Sequence, residues 1–243
     1  RDIVLKLRRP GIRKQMEADL RILAHIAELA EQNLPDVRRY RPREIVRLLS
    51  NALLEELDFT VEARNTETLA DAFAQDPNIV VPAIHWPFTS ERLLVQDRLS
   101  GVPVSDAAAL CASGLDRALI ARRGAEAFLK AAFDEGLFHA DPHPGNLFCL
   151  AGNRVGFIDF GMIGRLSSTR RSEVVQFIGA VIAGDGRGVR NVMVKWGGTP
   201  EDGLDALTAD ADAFALRNST HPFNFANAMR DFSELGRRHR LPL

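Results

Sequence analysis

The sequence predicts an α+β fold in which a small mixed part, residues 1–98, precedes a larger and mainly helical part, residues 99–243. Two patterns support this prediction: short β-branched segments gather near the start, and apolar residues recur at helical spacing through most of the rest. The 243 residues are 46% hydrophobic and 26% charged, with a formal net charge of −1. This composition suits one or two globular domains with a buried core, and it gives no reason to expect a nucleic-acid partner.

The first part is predicted to begin with a strand at Ile3–Leu7, where β-branched and apolar residues surround one lysine. A Pro-Gly turn follows, and apolar residues then recur at helical spacing over Ile12–Asn33. Two prolines bracket a linker at residues 35–42. A second helical pattern begins at about residue 45 and continues to about residue 73, so the first part is expected to open with one strand and two helices.

Two further strands are expected at residues 78–83 and 92–97, joined like a hairpin through a Trp-Pro turn. Residues 99–103 break this pattern with glycine and proline, and we place the boundary between the two parts there. Helical patterns then cover residues 104–113 and 115–135.

A small hairpin is predicted inside the second part, at residues 147–150 and 154–158, with a Gly-Asn turn between its strands. Helices are expected again from residue 167 onward. Their most apolar segment, residues 174–183, is about half as long as the roughly 20 residues that a membrane-spanning helix needs, so it predicts a buried helix. Both ends of the sequence look cut, which indicates an excerpt from a longer protein.

The pattern that predicts chemistry lies around this hairpin, where Asp141, Asn146 and Asp159 follow one another. An aspartate, an asparagine five residues on and a second aspartate beyond a hairpin are what phosphoryl transfer from ATP requires. Asp141 can accept a hydroxyl proton or orient the acceptor, while Asn146 and Asp159 offer hard oxygen ligands to Mg²⁺. Gly161 lets the backbone turn freely just after Asp159.

Lys6 fits the same chemistry, because a lysine inside an apolar strand is costly to bury unless its charge is paired. In an ATP-handling site it would contact the α- and β-phosphates and would need a carboxylate from a helix. The candidates for that carboxylate are Glu55, Glu56, Asp58 and Glu62, and spacing alone leaves the choice among them open.

Other kinds of site have weaker support. His139 and His143 flank Asp141, but two histidines without a third nitrogen or sulfur ligand are a poor zinc signal. Cys111 and Cys149 lie far apart and lack metal-ligand spacing, which disfavours a disulfide and fits a reducing, intracellular compartment. The sequence has no G-x-S-x-G turn, so hydrolysis by a Ser-His-Asp triad is disfavoured as well.

Four blocks of sequence stand out: KLRRPG at residues 6–11, ELDFTVEARN at 56–65, HADPHPGN at 139–146 and DFG at 159–161. Together they resemble the UbiB/ABC1/ADCK family of atypical kinases, and the second and third blocks are specific because ordinary protein kinases have neither. The resemblance covers nearly the whole chain and thins after about residue 191. It implies a protein-kinase-like two-lobe fold, with a truncated small mixed α/β N-lobe and a mainly helical C-lobe.

The resemblance implies a role for each of the main site residues. Lys6 would contact the phosphates, and Glu62 would be its ion-pair partner on a helix. Asp141 would be the catalytic-loop aspartate, while Asn146 and Asp159 would hold the metal. The implied cofactors are therefore ATP and Mg²⁺.

Further residues take their implied roles from the same family. Glu56 and Asp58 would form its Glu-x-Asp element, which faces an N-terminal extension across the active site. Val95, Gln96 and Asp97 would be the hinge beside adenine, where the family usually has a Met-Glu pair and contacts are mainly to the backbone. The family's Lys-x-Gly-Gln helix and Ala-rich nucleotide loop should precede the first strand, and neither is in this chain, so we expect weak nucleotide binding by the chain alone.

The resemblance also implies Mg-ATP-dependent kinase or ATPase activity that supports ubiquinone biosynthesis. The implied partners are ATP, a lipid or quinone precursor, quinone-biosynthesis proteins and a membrane surface. The implied location is cytoplasmic, peripheral to the inner membrane or anchored there through segments outside this chain. Two alternatives stay open: a nucleotide-binding scaffold without turnover, organising a membrane-associated biosynthetic complex, and a small-molecule kinase of the aminoglycoside-phosphotransferase type, against which the Glu-x-Asp block argues.

Overall fold

A computed structural model describes residues 2–38, 40–139, 143–200, 203–219 and 225–241. Helices and short strands combine in it to form the predicted α+β fold. The chain divides into two compact units, residues 1–166 and 167–243. The predicted lobe boundary after residue 98 lies inside the first unit and stays a prediction.

The first unit contains, in chain order, β1 (Ile3–Leu7), α1 (Ile12–Asn33), α2 (Pro35–Arg38), α3 (Pro42–Glu56), α4 (Phe59–Ala72), β2 (Ile79–Val80), β3 (Leu93–Asp97), β4 (Gly101–Pro103), α5 (Ala107–Ala112), α6 (Arg117–Lys130), β5 (Leu137–His139), β6 (Leu147–Leu150), β7 (Arg154–Phe157) and β8 (Ile163–Arg165). Strand β1 pairs antiparallel with β3, and β5 pairs antiparallel with β8. A four-stranded sheet has the order β2-β7-β6-β4. The sequence does not predict the β5–β8 pair, because three-residue strands are too short to show an alternating pattern.

Strand β1 has one exposed face and one face turned toward the interior. Ile3, Leu5 and Leu7 are exposed, whereas Val4 and Lys6 between them are half-buried. Successive side chains of a strand point to opposite faces, so this alternation follows directly from the strand geometry. It places the Lys6 ammonium group on the inner face, together with Val4.

The single helix predicted over residues 45–73 is two helices, α3 and α4, with a break at Leu57 and Asp58. The Asp58 carboxylate accepts hydrogen bonds from the backbone N–H of Thr60 at 2.9 Å and from its hydroxyl at 2.7 Å, which caps α4. Arg8 Nη1 donates to the Leu57 carbonyl at 2.5 Å and ties the break to the end of β1. The apolar spacing continues across the break, so periodicity alone misses it. The predicted linker before α3 contains the short helix α2.

The predicted hairpin at residues 78–97 is partly wrong. Strand β3 forms as expected, but the earlier strand is limited to β2, which pairs in parallel with β7 instead of with β3. The segment after β2 still reaches β3, because the His85 N–H donates to the Val95 carbonyl and the Asp97 N–H donates to the Ala83 carbonyl, both at 2.9 Å. This segment contains a proline, whose missing N–H cannot join a strand ladder, so the regular strand stays short.

The hairpin predicted for the second part is confirmed by β6 and β7, which pair antiparallel. Gly152 and Asn153 turn between them with φ of 76° and 58°, the left-handed conformation that a tight hairpin turn favours. Cys149 on β6 is buried and packs in one hydrophobic cluster with Val155 and Phe160. The hairpin therefore joins the core directly to the segment that follows β7.

The second unit consists of helices, α7 (Ser168–Ile182), α8 (Gly186–Gly197), α9 (Leu204–Asn218) and α10 (Phe225–Arg238). Its core gathers aromatic rings: the centroid of Phe177 lies 4.6 Å from that of Phe232 and 5.8 Å from that of Trp196. The apolar segment at residues 174–183 contributes to this core through α7, as predicted. Among the residues that the structure describes, no helix has the length and apolar character needed to cross a membrane.

A polar cluster joins α9 to the end of α10. Asp210 Oδ2 lies 2.9 Å from Nε2 of the buried His239 and 3.2 Å from Nη1 of Arg238. Burial on its own would raise the pKa of Asp210, but hydrogen bonds from His239 and Arg238 outweigh it and lower this pKa below its ordinary value. A carboxylate with a lowered pKa in the folded state stabilises the fold above its ordinary pKa, and this contribution is lost as the pH falls through the folded-state pKa.

We expect Asp210→Asn to remove this part of the acid sensitivity of the second unit. In a Trp86→Phe background, Trp196 is the remaining tryptophan and its fluorescence reports unfolding of this unit. The free energy of unfolding should fall less between about pH 6 and pH 3 in Asp210→Asn than in the parent, because the lowered pKa of Asp210 makes its contribution disappear as the pH falls below the ordinary aspartate range. The exposed Asp212→Asn serves as the control, and equal pH dependence in both variants would contradict the prediction.

Candidate active site

The inner face of β1 meets helix α4 through one ion pair. Lys6 Nζ lies 2.6 Å from Glu62 Oε1, with 30% of the Lys6 side chain and 6% of the Glu62 side chain exposed. The N-cap at Asp58 starts α4 four residues before Glu62 and so sets where this carboxylate projects. Of the four carboxylates that spacing leaves open, Glu62 is the one that the structure pairs with Lys6.

The charge state of this pair follows from its burial and its neighbours. Burial on its own would lower the pKa of Lys6, but the carboxylates of Glu62 and Asp159 outweigh it and raise this pKa above its ordinary value. Burial raises the pKa of Glu62, and the Lys6 ammonium group offsets part of that rise. The nearby carboxylates of Asp159 and Glu56 raise it further. Lys6 is therefore charged at neutral pH, while Glu62 depends on Lys6 for keeping its own charge.

Asp159 is the second carboxylate that contacts Lys6, with Oδ2 at 3.2 Å from Nζ. Its backbone has a φ of 65°, a left-handed conformation that aspartate and asparagine tolerate better than most residues. The Gly161 N–H lies 3.4 Å from Asp159 Oδ1, and 40% of the Asp159 side chain is exposed. One oxygen of the carboxylate thus contacts Lys6, and part of the side chain is still accessible to a ligand.

The segment that carries Asp159 is fixed by the residues around it. Phe160 is buried, and its ring lies against that of His139 with centroids 5.7 Å apart. Asn65 on α4 donates from Nδ2 to the Phe160 carbonyl at 3.0 Å. Helix α4 therefore holds both Glu62 and the backbone beside Asp159. Asn65 belongs to one of the four family blocks, but its partner is 95 residues away, so no local pattern predicts this contact.

The backbone of Asn146 lies beside the residue that precedes Asp159. It ends a short 3₁₀ turn, Pro144–Asn146, in which His143 Nδ1 accepts a hydrogen bond from the Gly145 N–H at 3.0 Å. The Asn146 carbonyl accepts from the N–H of Ile158 at 2.9 Å, one residue before Asp159. The predicted catalytic Asp141 lies outside the described residues.

The Glu-x-Asp element is split between two structural roles. A Cβ atom placed on Gly161 would lie 3.3 Å from Glu56 Oε1 and 3.5 Å from Asp159 Oδ1, so the Glu56 carboxylate packs against the glycine that follows Asp159. Asp58 is the N-cap of α4 and faces Thr60. The contact of Glu56 with this segment is a feature that sequence spacing does not predict.

A cavity of about 480 Å³ opens beside Lys6 and Asp159, within the size range of small-molecule sites. It is lined by Val4, Lys6, Gln96, Asp97, Arg98, Leu99, Ser100, Gly101, Phe148, Ile158 and Asp159. Strands β1 and β3 thus form one wall, and residues of the β6–β7 hairpin and the segment after it form another.

The predicted hinge residues are differently placed around this cavity. Gln96 and Asp97 line it, whereas Val95 does not. The Val95 N–H donates to Thr89 Oγ1 at 3.2 Å, and the Asp97 carboxylate lies 2.8 Å from His85 Nε2. The roles of these residues as a hinge stay predictions. The chain that leaves β3, residues 98–101, contributes the rest of this wall.

The residues present fit a magnesium ion bound together with phosphates. Mg²⁺ prefers oxygen ligands and usually takes one or two carboxylates from a protein, with phosphate oxygens and water completing its octahedron. Asp159 supplies an accessible carboxylate beside the cavity, and the Asn146 backbone is hydrogen-bonded to Ile158, the residue before Asp159, so these two residues would hold the ion. Within the described residues, no group of three or more His, Cys, Asp or Glu side chains could hold a metal by itself.

The fold and this arrangement of lysine, glutamate and aspartate define a kinase-like protein. A family model, the ABC1 atypical kinase-like domain, matches residues 1–193. The chain therefore belongs to the ABC1 family of atypical kinase-like proteins, as the sequence blocks indicate.

Curated relatives agree with this assignment. The chain is 37% identical over 227 residues to "Probable protein kinase UbiB" of Pectobacterium carotovorum, an alignment that covers 91% of this chain and 41% of that protein. It is 36% identical over 238 residues to the protein of the same name from Vibrio cholerae, covering 96% of this chain and 43% of the relative. The chain thus spans about two fifths of the length of these relatives.

One solved structure supports the fold. The Rv3197–erythromycin complex from Mycobacterium tuberculosis matches with a TM-score of 0.64 at 21% identity, covering 98% of this chain and 66% of that chain. At this identity the likeness concerns the fold alone, and it extends over almost the full length of the chain.

Proposed function

We propose that the chain is the ATP-handling core of an Mg-dependent atypical kinase or ATPase of the UbiB type, and that the whole protein supports ubiquinone biosynthesis. The observation that carries the proposal is the contact of one lysine, Lys6, with both Glu62 and Asp159 at the wall of one cavity. Membership of the ABC1 family supports the kinase-like chemistry. The UbiB name of the relatives supports the link to ubiquinone.

In this proposal each predicted site residue has a physical task. Lys6 keeps its positive charge at neutral pH and attracts the phosphates of ATP, while Glu62 fixes the direction of its side chain. Asp159 and Asn146 would hold Mg²⁺, and the ion would supply positive charge that offsets the negative charge on the transferred phosphoryl group. Asp141 orients the acceptor, which is water in an ATPase and a small-molecule or lipid hydroxyl in a kinase.

The proposal extends from the chain to the rest of the protein. ATP is the first partner, and a lipid or quinone precursor and other quinone-biosynthesis proteins are the further ones, at the surface of the inner membrane. These partners follow from the family resemblance.

The test is ATP hydrolysis by the full-length protein, measured as phosphate release with Mg²⁺ and with EDTA, in the presence and absence of lipid vesicles. We expect Mg-dependent release. ADP formation is measured alongside, because a kinase forms ADP without releasing phosphate. Calorimetric binding of Mg-ATP with neither phosphate release nor ADP formation, under all of these conditions, would favour the scaffold alternative and contradict the enzyme proposal.

A further inference from the structure

Gln96 is a polar residue on the inner wall of the candidate ATP cavity. It lies near the end of β3 directly opposite Val4 of β1, two positions along from the pairing of Leu94 with Lys6. Directly paired residues of neighbouring strands share a face, and so do residues two apart on one strand. Gln96 therefore shares the face of Val4 and Lys6, and all three line the cavity.

The side chain of Gln96 is buried but has no hydrogen-bonding partner of its own among the described residues. It is 5% exposed. Most polar groups in protein interiors are paired, so an amide that lines a cavity without a protein partner is unusual. The cavity around it offers mainly apolar surface, from Val4, Leu99, Phe148 and Ile158. The amide is thus a hydrogen-bonding group held in an apolar cavity where a ligand can satisfy it.

The chemistry of an amide narrows the class of that ligand. A glutamine amide presents one acceptor, Oε1, beside donors on Nε2. The edge of adenine formed by N6 and N7 presents a donor beside an acceptor, which is the complementary pattern, and Gln pairs with it through two hydrogen bonds. Guanine presents two acceptors, N7 and O6, on the same edge, so the amide can satisfy at most one of them.

We propose that the Gln96 amide binds the N6/N7 edge of adenine and makes the site selective for ATP over GTP. This inference rests on the proposed ATP-handling function and adds to it a side chain that reads the base. It differs from the hinge expectation, in which this residue acts through its backbone. Lys6 and Asp159 sit at the other end of the same wall, where the phosphates would lie.

The test compares nucleotide binding by the full-length protein and by Gln96→Met, using calorimetry with Mg-ATP, Mg-GTP and Mg-7-deaza-ATP, which lacks N7. Methionine has a similar length but no hydrogen-bonding amide. We expect the wild type to bind ATP about ten- to a hundredfold more tightly than GTP, the discrimination that one good bidentate amide–base pair gives. In Gln96→Met the affinity for ATP should fall to near that for GTP, while GTP affinity stays unchanged. The loss caused by 7-deaza substitution should also disappear.

A matched control separates base recognition from a structural effect. Gln15→Met makes the same chemical change at an exposed position of α1 and should leave all three affinities unchanged. Thermal unfolding without nucleotide gives a second measurement: Gln96→Met should be about as stable as the wild type, because no hydrogen bond to the described residues is lost. A clear loss of stability would indicate that Gln96 has a structural role and would overturn the inference.

The remaining outcomes distinguish this inference from the proposed function. Wild-type binding of ATP with an ATP-to-GTP ratio that Gln96→Met does not change overturns the role of Gln96 and leaves the proposed function intact. An equal loss of ATP and GTP affinity in Gln96→Met also overturns it, since the base edge would not be what the amide reads. Binding of no nucleotide by the wild type refutes the proposed function and this inference with it.

Discussion

Asp159→Asn is expected to lower Mg-dependent ATP turnover by the full-length protein about a hundred- to a thousandfold, the loss typical of removing one preorganised charged group from an active site. The substitution keeps the shape of the side chain and takes away its charge. Asp159 Oδ2 contacts Lys6, and the other side of the carboxylate is open. The substitution therefore removes a negative charge both from the ion pair with Lys6 and from the proposed metal site.

Asparagine is the informative replacement because of the backbone at this position. The φ of Asp159 is 65°, and asparagine tolerates this left-handed conformation, whereas alanine would be strained there. The amide oxygen can also still accept from the Gly161 N–H. The fold should therefore survive, and the unfolding temperature of Asp159→Asn should stay close to that of the wild type.

The control for this experiment is Asp71→Asn, an equal change at an exposed aspartate on the last turns of α4. It should leave turnover unchanged. Retention of wild-type turnover by Asp159→Asn, with Mg²⁺ still required, would contradict the assignment of Asp159 as a metal-holding residue.

Much of the candidate site could be predicted because its residues stand in short, strongly patterned segments. Lys6 lies inside a five-residue strand in which exposed and half-buried side chains alternate. The DFG segment follows a hairpin with a clear Gly-Asn turn. The structure places Lys6, Glu62 and Asp159 in contact, although sequence spacing could not choose Glu62 over Glu55, Glu56 or Asp58. The family resemblance made that choice.

Sequence patterns could not predict two kinds of feature. One is a contact between residues far apart in the chain, and the other is a helix break that leaves the helical spacing of apolar residues intact. The hydrogen bond from Asn65 to the Phe160 carbonyl joins residues 95 apart, and no local pattern encodes it. The break at Leu57 leaves the helical spacing of apolar residues intact, so it is visible only through the capping by Asp58. Strand β2 pairs with β7, which lies more than 70 residues later in the chain, so no local pattern predicts this pairing.

The contacts of α4 suggest why these features occur together. This helix begins at the Asp58 cap, pairs Glu62 with Lys6 and holds the Phe160 carbonyl through Asn65. Three of the four family blocks, those containing Lys6, Glu62 and Asp159, therefore meet on a single helix. A shift of α4 would change the lysine and the aspartate segment at the same time, so the helix couples the two halves of the site.

In the full-length protein, Lys6→Met is expected to abolish tight Mg-ATP binding. It should also destabilise the fold by about 2 kcal/mol or more at neutral pH, since it leaves the buried Glu62 carboxylate without its partner. The two effects have separate causes. The first is the loss of a positive charge for phosphates, and the second is the cost of an unpaired buried anion. An exposed-lysine control, Lys14→Met, should show neither effect.

The stability effect has a defined pH dependence. Burial already raises the pKa of Glu62 in the wild type, and removing Lys6 raises it further. Between the ordinary glutamate pKa of about 4.3 and this raised value, the folded state binds more protons than the unfolded state, so stability falls as the pH rises. The penalty of Lys6→Met should therefore be small at about pH 4–5 and grow toward pH 8.

In the wild type, Lys6 has a raised pKa, so the ion pair keeps its stabilising effect up to the alkaline range. This effect is lost only above the ordinary lysine pKa.

A second substitution tests whether the unpaired carboxylate is the cause. Lys6→Met/Glu62→Gln should recover most of the lost free energy of unfolding at pH 8 and lose the added pH dependence, because a neutral amide replaces the buried anion. It should not recover Mg-ATP binding, since the lysine charge is still missing. Urea unfolding at pH 5 and pH 8 and nucleotide calorimetry measure the two outcomes independently. If the single and double variants are equally unstable at pH 8, the unpaired Glu62 carboxylate is not the cause of the instability. Electrostatic pairing would then not explain why Lys6 and Glu62 lie in contact.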